Sequence, residues 1–150
     1  MEQFTNQQKI NQEIPPIFAR CRLHTKYKTF AGMDLESIRK YCLEKKSTTE
    51  SFPFGETTLV FKVAGKMFLL ISLDSLPLQF NVKCDPDKAQ ELREEFSSVI
   101  PAYHMNKKHW NTIILNGQAS SKFILEWIDE SYALVVHTLP LKEKKKLTER

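Results

Sequence analysis

Only four glycines occur in the 150-residue sequence, and Gly32, Gly55, Gly65 and Gly117 lie too far apart to build a phosphate-cradling loop. Walker, dinucleotide-binding and nucleophile-elbow signatures are missing, which argues against nucleotide-dependent chemistry. Cysteine is scarce as well. Cys21, Cys42 and Cys84 make an odd number with no CxxC or close Cys/His spacing, a pattern that suits a reducing compartment without structural disulfides and argues against zinc. Cys42 and Cys84 fall in phase with apolar neighbours and read as small buried hydrophobes. No stretch approaches the ~20 apolar residues that a bilayer-crossing helix needs, and the start "MEQFTNQQKINQEIPP" lacks the apolar run of a signal peptide. The expected location is the cytoplasm, with no membrane partner.

What is present fits one domain with one core. The net charge of +4 is unevenly spread. Residues 1–33 hold five basic and two acidic side chains, and residues 140–150 hold the same numbers. The body between them, residues 34–139, has 12 basic and 14 acidic groups, so an anion-binding surface there must be a local patch.

Residues 1–33 show no sustained period and read as a flexible or loosely docked extension, with Pro15 and Pro16 interrupting any helix. From Asp34, a candidate N-cap, Leu35, Ile38 and Cys42 trace one apolar helical face. "STTESFPFGE" reads as a turn-rich connector. "TTLVFKVAGKMFLLISLD" reads as a hairpin turning at Ala64-Gly65, its second arm apolar on both faces like a central strand. "LQFNVKC" alternates, with Phe80, Val82 and Cys84 inward and Gln79, Asn81 and Lys83 outward. Asp85 and Pro86 open a second helix with Ala89, Leu92 and Phe96 as its stripe. A loop of about twelve residues leads to the strand "HWNTIIL", and a last helix spans about Ser120 to Thr138 before Pro140 and the basic tail 141–150. The order α-β-β-β-α-β-α predicts an α+β two-layer sandwich: an antiparallel sheet of four or five strands with helices on one face and the other face at least partly open.

Chemistry concentrates in "YHMNKKHWNT", residues 103–112. His104 and His109 suggest acid and base, but the loop holds no Asp, Glu, Ser or Cys to act as nucleophile or paired carboxylate, so no enzyme and no catalytic residue is expected. The two histidines match no common metal-ligand spacing and Lys107 and Lys108 repel cations, so neither metal nor cofactor is expected. Phosphate or nucleic-acid contact suits the composition, with lysine charge, Asn106 and Asn111 as polar partners and Trp110, His104 or Tyr103 against a sugar or base. The alternative is a loop anchored by Tyr103 and Trp110 with its lysines in solvent.

The segments "FPFGETTLVFKVAGKMFLLISLD", "VKCDPDKAQELREEF", "VIPAYHMNKKHWNTIIL" and "SYALVVHTLP", in this order, resemble the MmcQ/YjbR family of small bacterial proteins over about residues 34–140. The resemblance implies a two-layer α+β domain of the frataxin and secretion-chaperone type, and a "double wing" DNA-binding role. It marks Pro53, Phe54 and Gly55 in the connector, Lys83, Cys84, Asp85 and Pro86 at the strand-to-helix junction, and Tyr103, His104, Asn106, Lys107, His109 and Trp110 in the loop. It transfers no catalytic residue.

Residues and resemblance together give a DNA-binding expectation. Lys62, Lys66 and Lys83 on the open sheet face join His104, Asn106, Lys107, Lys108, His109 and Trp110 of the loop in gripping phosphates. The alternative is a protein-interaction or chaperone-like module with a protein partner on the same face. A weaker option is a small-ligand pocket between "FPFG" and the loop.

Overall fold

Asp34 starts the first helix by accepting a hydrogen bond from Ser37 N at 2.8 Å, which fills one of the donors a helix N-terminus leaves open. In the computed structural model, which describes residues 33–149, this helix, α1, runs Leu35–Leu43 and buries Leu35, Ile38 and Cys42 as its spacing predicts. There follow β1 Thr48–Ser51, β2 Thr58–Val63, β3 Lys66–Ser72, β4 Gln79–Lys83, α2 Pro86–Glu95, β5 Val99–Pro101, β6 Trp110–Ile114, α3 Ser121–His137 and α4 Leu141–Thr148. Asp85 caps α2, accepting from Asp87 N and Lys88 N, and Ser120 caps α3. The expected N-terminal extension, with Cys21 and His24, lies outside the described residues.

The strands form one antiparallel sheet in the order β1-β2-β3-β4-β6-β5, so the α+β architecture is the one predicted, with six strands where four or five were expected. The two additions are short edge strands in segments read as connector and loop, β1 and β5. Residues 141–148 likewise depart from the expected solvated tail: they form α4, and Leu147 is buried. Ala64 and Gly65 both take positive φ, 48° and 83°, as a two-residue hairpin turn matched to strand twist requires.

Cross-strand partners share a face of the sheet. Leu59, Phe61 and Val63 of β2, Leu69 and Ile71 of β3, Phe80 and Val82 of β4 and Ile113 of β6 join one core with Ile124, Trp127, Ile128 and Val135 of α3. Val60 and Leu70, paired with each other, point to the opposite face. That face, expected to be at least partly open, is closed at its centre, where Val60 is fully buried and Leu70 is 7% exposed. The polar ends of that face remain half-buried rather than sealed.

One irregularity ties the layers together. Phe61 pairs with Leu69 and Lys62 with Met67, so Phe68 bulges without a partner in β2 and its ring turns into the core against Phe61 and, edge-on, Tyr132. The β3–β4 ladder consequently stops at Leu69 and Val82. The fully buried hydroxyl of Ser131 fills the gap, accepting from Lys83 N at 2.8 Å and donating to Phe68 O at 2.5 Å. Elsewhere α1 is fixed to β1 by the buried Arg39 guanidinium, which holds the Glu50 carboxylate through two nitrogens. It is fixed to α3 by Asp129, which accepts from Tyr41 Oη at 2.8 Å and from Lys45 Nζ.

Replacing Ser131 by Ala leaves a buried N–H and C=O without partners, so a loss of about 1–3 kcal/mol is expected. Urea unfolding measures it. A loss under about 0.5 kcal/mol would show that the bridge is dispensable.

Candidate functional site

The pairing register decides where each predicted lysine sits. Lys62 alternates with the core residues Phe61 and Val63, and Lys83 with Val82, so both lie on the face away from the helices. Lys83 pairs with Trp110 across β4 and β6. Lys62, Lys83 and Trp110 therefore line one end of that face, spanning three inter-strand steps, or about 14 Å. Their common end is the one from which the 102–109 loop emerges, as Ala102 N donates to Trp110 O and Cys84 N to His109 O. Met105 brings the loop back onto this face, its sulfur 3.6 Å from Asn81 Nδ2.

Lys66 does not belong with them. In a two-residue hairpin the residues flanking the turn are partners, so Lys66 shares the face of the core residue Val63. Its ammonium turns to the helix layer, 3.4 Å from Thr138 O, where a cation suits the negative end of α3. The same register separates the two segments between which the small-ligand pocket was considered, "FPFG" and the loop. Residues 52–57 enter β2 at Thr58, level with Ile114 at the far end of the sheet from Trp110, about 14 Å away along the strand.

Within the loop, roles divide between presentation and support. His104, Lys107 and Lys108 are exposed, and His109 and Trp110 are half-buried. Asn106 serves the loop itself: its Oδ1 accepts from Lys108 N at 3.0 Å, and its carbonyl accepts from His109 N and Trp110 N. Asn111, weighed as a polar partner for a ligand, is fully buried and donates to Ala89 O at 3.3 Å. Tyr103 is no anchor, since it is 63% exposed, with Lys107 Nζ 5.0 Å from its ring centre.

The true anchor is Arg93 of α2, which the sequence reading did not single out. Its Nε donates to Asn111 Oδ1 at 2.7 Å, while Nη2 donates to Lys107 O and, at 3.3 Å, to Trp110 O. One rigid guanidinium thus fixes both ends of the segment 107–111 to a helix. Nothing in the local pattern announces it, because donor and acceptors lie 14 to 18 residues apart.

Charge is distributed accordingly. Lys45 and Lys88 are neutralised by Asp129 and Glu130, whereas Lys62, Lys83, Lys107 and Lys108 form no ion pair among the described residues. Among the described residues no group of three or more His, Cys, Asp or Glu side chains is placed to hold a metal ion, and no helix is long and apolar enough to cross a membrane. Burial pushes the Cys84 thiol up to about 11 and raises that of Cys42 further, which keeps both as unreactive thiols near neutral pH.

A family model named YjbR matches residues 43–134. The "Uncharacterized protein YbdF" of Escherichia coli O157:H7 is 34% identical over 113 residues, covering 75% of this chain and 92% of the relative. The "Uncharacterized protein YjbR" of Escherichia coli K12 is 30% identical over 115 residues, covering 77% and 97%. Among solved structures, a Deinococcus radiodurans protein with a domain named DUF419 superposes with a TM-score of 0.75 at 34% identity, over 81% of this chain and 92% of its own. A Pseudomonas syringae protein reaches 0.59 at 27% identity, over 68% and 98%.

Removing the clamp with Arg93→Ala strands the Lys107 carbonyl and Asn111 Oδ1. The expected result is faster amide hydrogen exchange at residues 107–110, with β2 and β3 unchanged, and a stability loss of about 1–3 kcal/mol. Arg93→Lys should restore little, since a single ammonium cannot reproduce the fork. Unchanged exchange in Arg93→Ala would mean that the loop holds itself.

Proposed function

Because the chain belongs to the YjbR family, and its comparisons bring no activity with them, we propose from the site itself that the protein binds DNA through phosphate contacts and performs no chemistry on it. The observation that carries this reading is the position of four lysines, Lys62, Lys83, Lys107 and Lys108, at one end of the sheet and on the loop beside it, with no acidic partner among the described residues. The body of the chain is slightly acidic, so the patch rather than the net field supplies the attraction. The sheet end contributes Lys62 and Lys83 and the loop beside it Lys107 and Lys108, enough ammonium groups to neutralise about four phosphates. His104 and His109 of the loop and Trp110 beside it offer ring contacts to sugar and base. Asn106 and Lys66 are not assigned a ligand contact, since both side chains serve the fold.

A protein-interaction module on the same face finds less support. Its apolar side chains Val60 and Leu70 are closed to solvent, which leaves a peptide little apolar surface to cover.

Four phosphates neutralised on duplex DNA correspond to a slope of roughly −3.6 in log affinity against log salt. Fluorescence anisotropy with a labelled duplex should give that slope. It should become shallower by about one in Lys83→Ala and by about two in Lys107→Ala/Lys108→Ala, and stay unchanged in Lys66→Ala. Absence of binding in low salt, or equal slopes in all four proteins, refutes the proposal.

A further inference from the structure

Tyr103 is out of place for a structural residue. At 63% exposure it leaves a large apolar ring in water, and its hydroxyl has no partner among the described residues. Its neighbours do not explain it either. The loop is held by Arg93, by the turn at Asn106, by Met105 N donating to Ala102 O and by Met105 against Asn81, none of which involves the Tyr103 ring. What the loop does supply is an ammonium, with Lys107 Nζ standing 5.0 Å from the ring centre. The cation draws on the negative face of the ring and stays close to it without an acidic partner.

From this arrangement we infer that Tyr103 is a stacking platform for an unpaired nucleobase, and that the preferred ligand is single-stranded nucleic acid. The inference rests on the phosphate-binding reading above and narrows its ligand class. An aromatic face with a cation held beside it meets both halves of a nucleotide, the base by stacking and the adjoining phosphate by charge. In a continuous duplex the bases are paired and stacked, so this ring would find no base to cover. A separated strand offers one freely, whatever its sequence, because every base has a π-face. The backbone support makes the platform inexpensive to use. Arg93 already fixes the backbone of Lys107, which carries the cation beside the ring, so that part of the loop has little conformational entropy left to lose on binding.

The test compares three labelled oligonucleotides of equal length in low salt: oligothymidylate, an abasic strand with the same phosphates, and a blunt duplex. The wild-type protein should bind oligothymidylate tighter than either of the others. Tyr103→Ala should weaken oligothymidylate binding about tenfold, leave the abasic strand and duplex unchanged and keep the salt slope, while Tyr103→Phe retains wild-type affinity. Equal loss on the abasic strand, or no loss on oligothymidylate while lysine-dependent binding persists, overturns the stacking role and leaves the phosphate reading standing. Failure of the wild-type protein to bind any of the three overturns both.

Discussion

A single buried hydroxyl sits at the junction on which both layers depend. The bulge at Phe68 directs an aromatic ring into the core, but it also ends the β3–β4 ladder early and would leave two backbone groups without partners inside the protein. Ser131 supplies the missing donor and acceptor from the helix that crosses those strands. Helix α3 is therefore registered on the sheet by a directional contact as well as by apolar packing, which alone tolerates sliding. Because the contact is made to the backbone of Lys83, the same hydroxyl fixes where one of the site's cations leaves the sheet.

Much of this fold is legible in the residues. Asp34, Asp85 and Ser120 announce three helix starts, and Ala64-Gly65 announces the hairpin, because caps and tight turns are settled by local chemistry. Strands β1 and β5 are not legible. They hold four and three residues, lack alternation, and exist only because a longer neighbour offers them a ladder. In α4 the lysine run hides a helix whose one buried contact, Leu147, comes seven residues after Pro140. That proline, rightly read as ending α3, also stands at the start of α4.

The site was less readable, for two different reasons. The orientation of Lys66 follows from the hairpin turn alone, since flanking residues of a two-residue turn must share a face; the information was in the sequence and called for the pairing rule. Ser131 carried a similar signal, a hydroxyl at the i+4 position between Trp127 and Val135 on an apolar stripe. Arg93 carried none. Its value arises from the docking of α2 beside β6, a tertiary event that gives an ordinary surface-type residue three acceptors at once. Candidate binding residues and their supports thus differ in visibility: composition draws attention to the loop, while the group that makes it rigid is silent.

The outermost strand β5 has one more consequence. A sheet's free border is where identical molecules add to one another, and growth there needs an uninterrupted row of amide donors. At this border the row is only three residues long and closes on Pro101, which has no amide hydrogen to give. A six-stranded sheet with an apolar interior is thereby kept from fibrous self-assembly along this flank by its shortest strand.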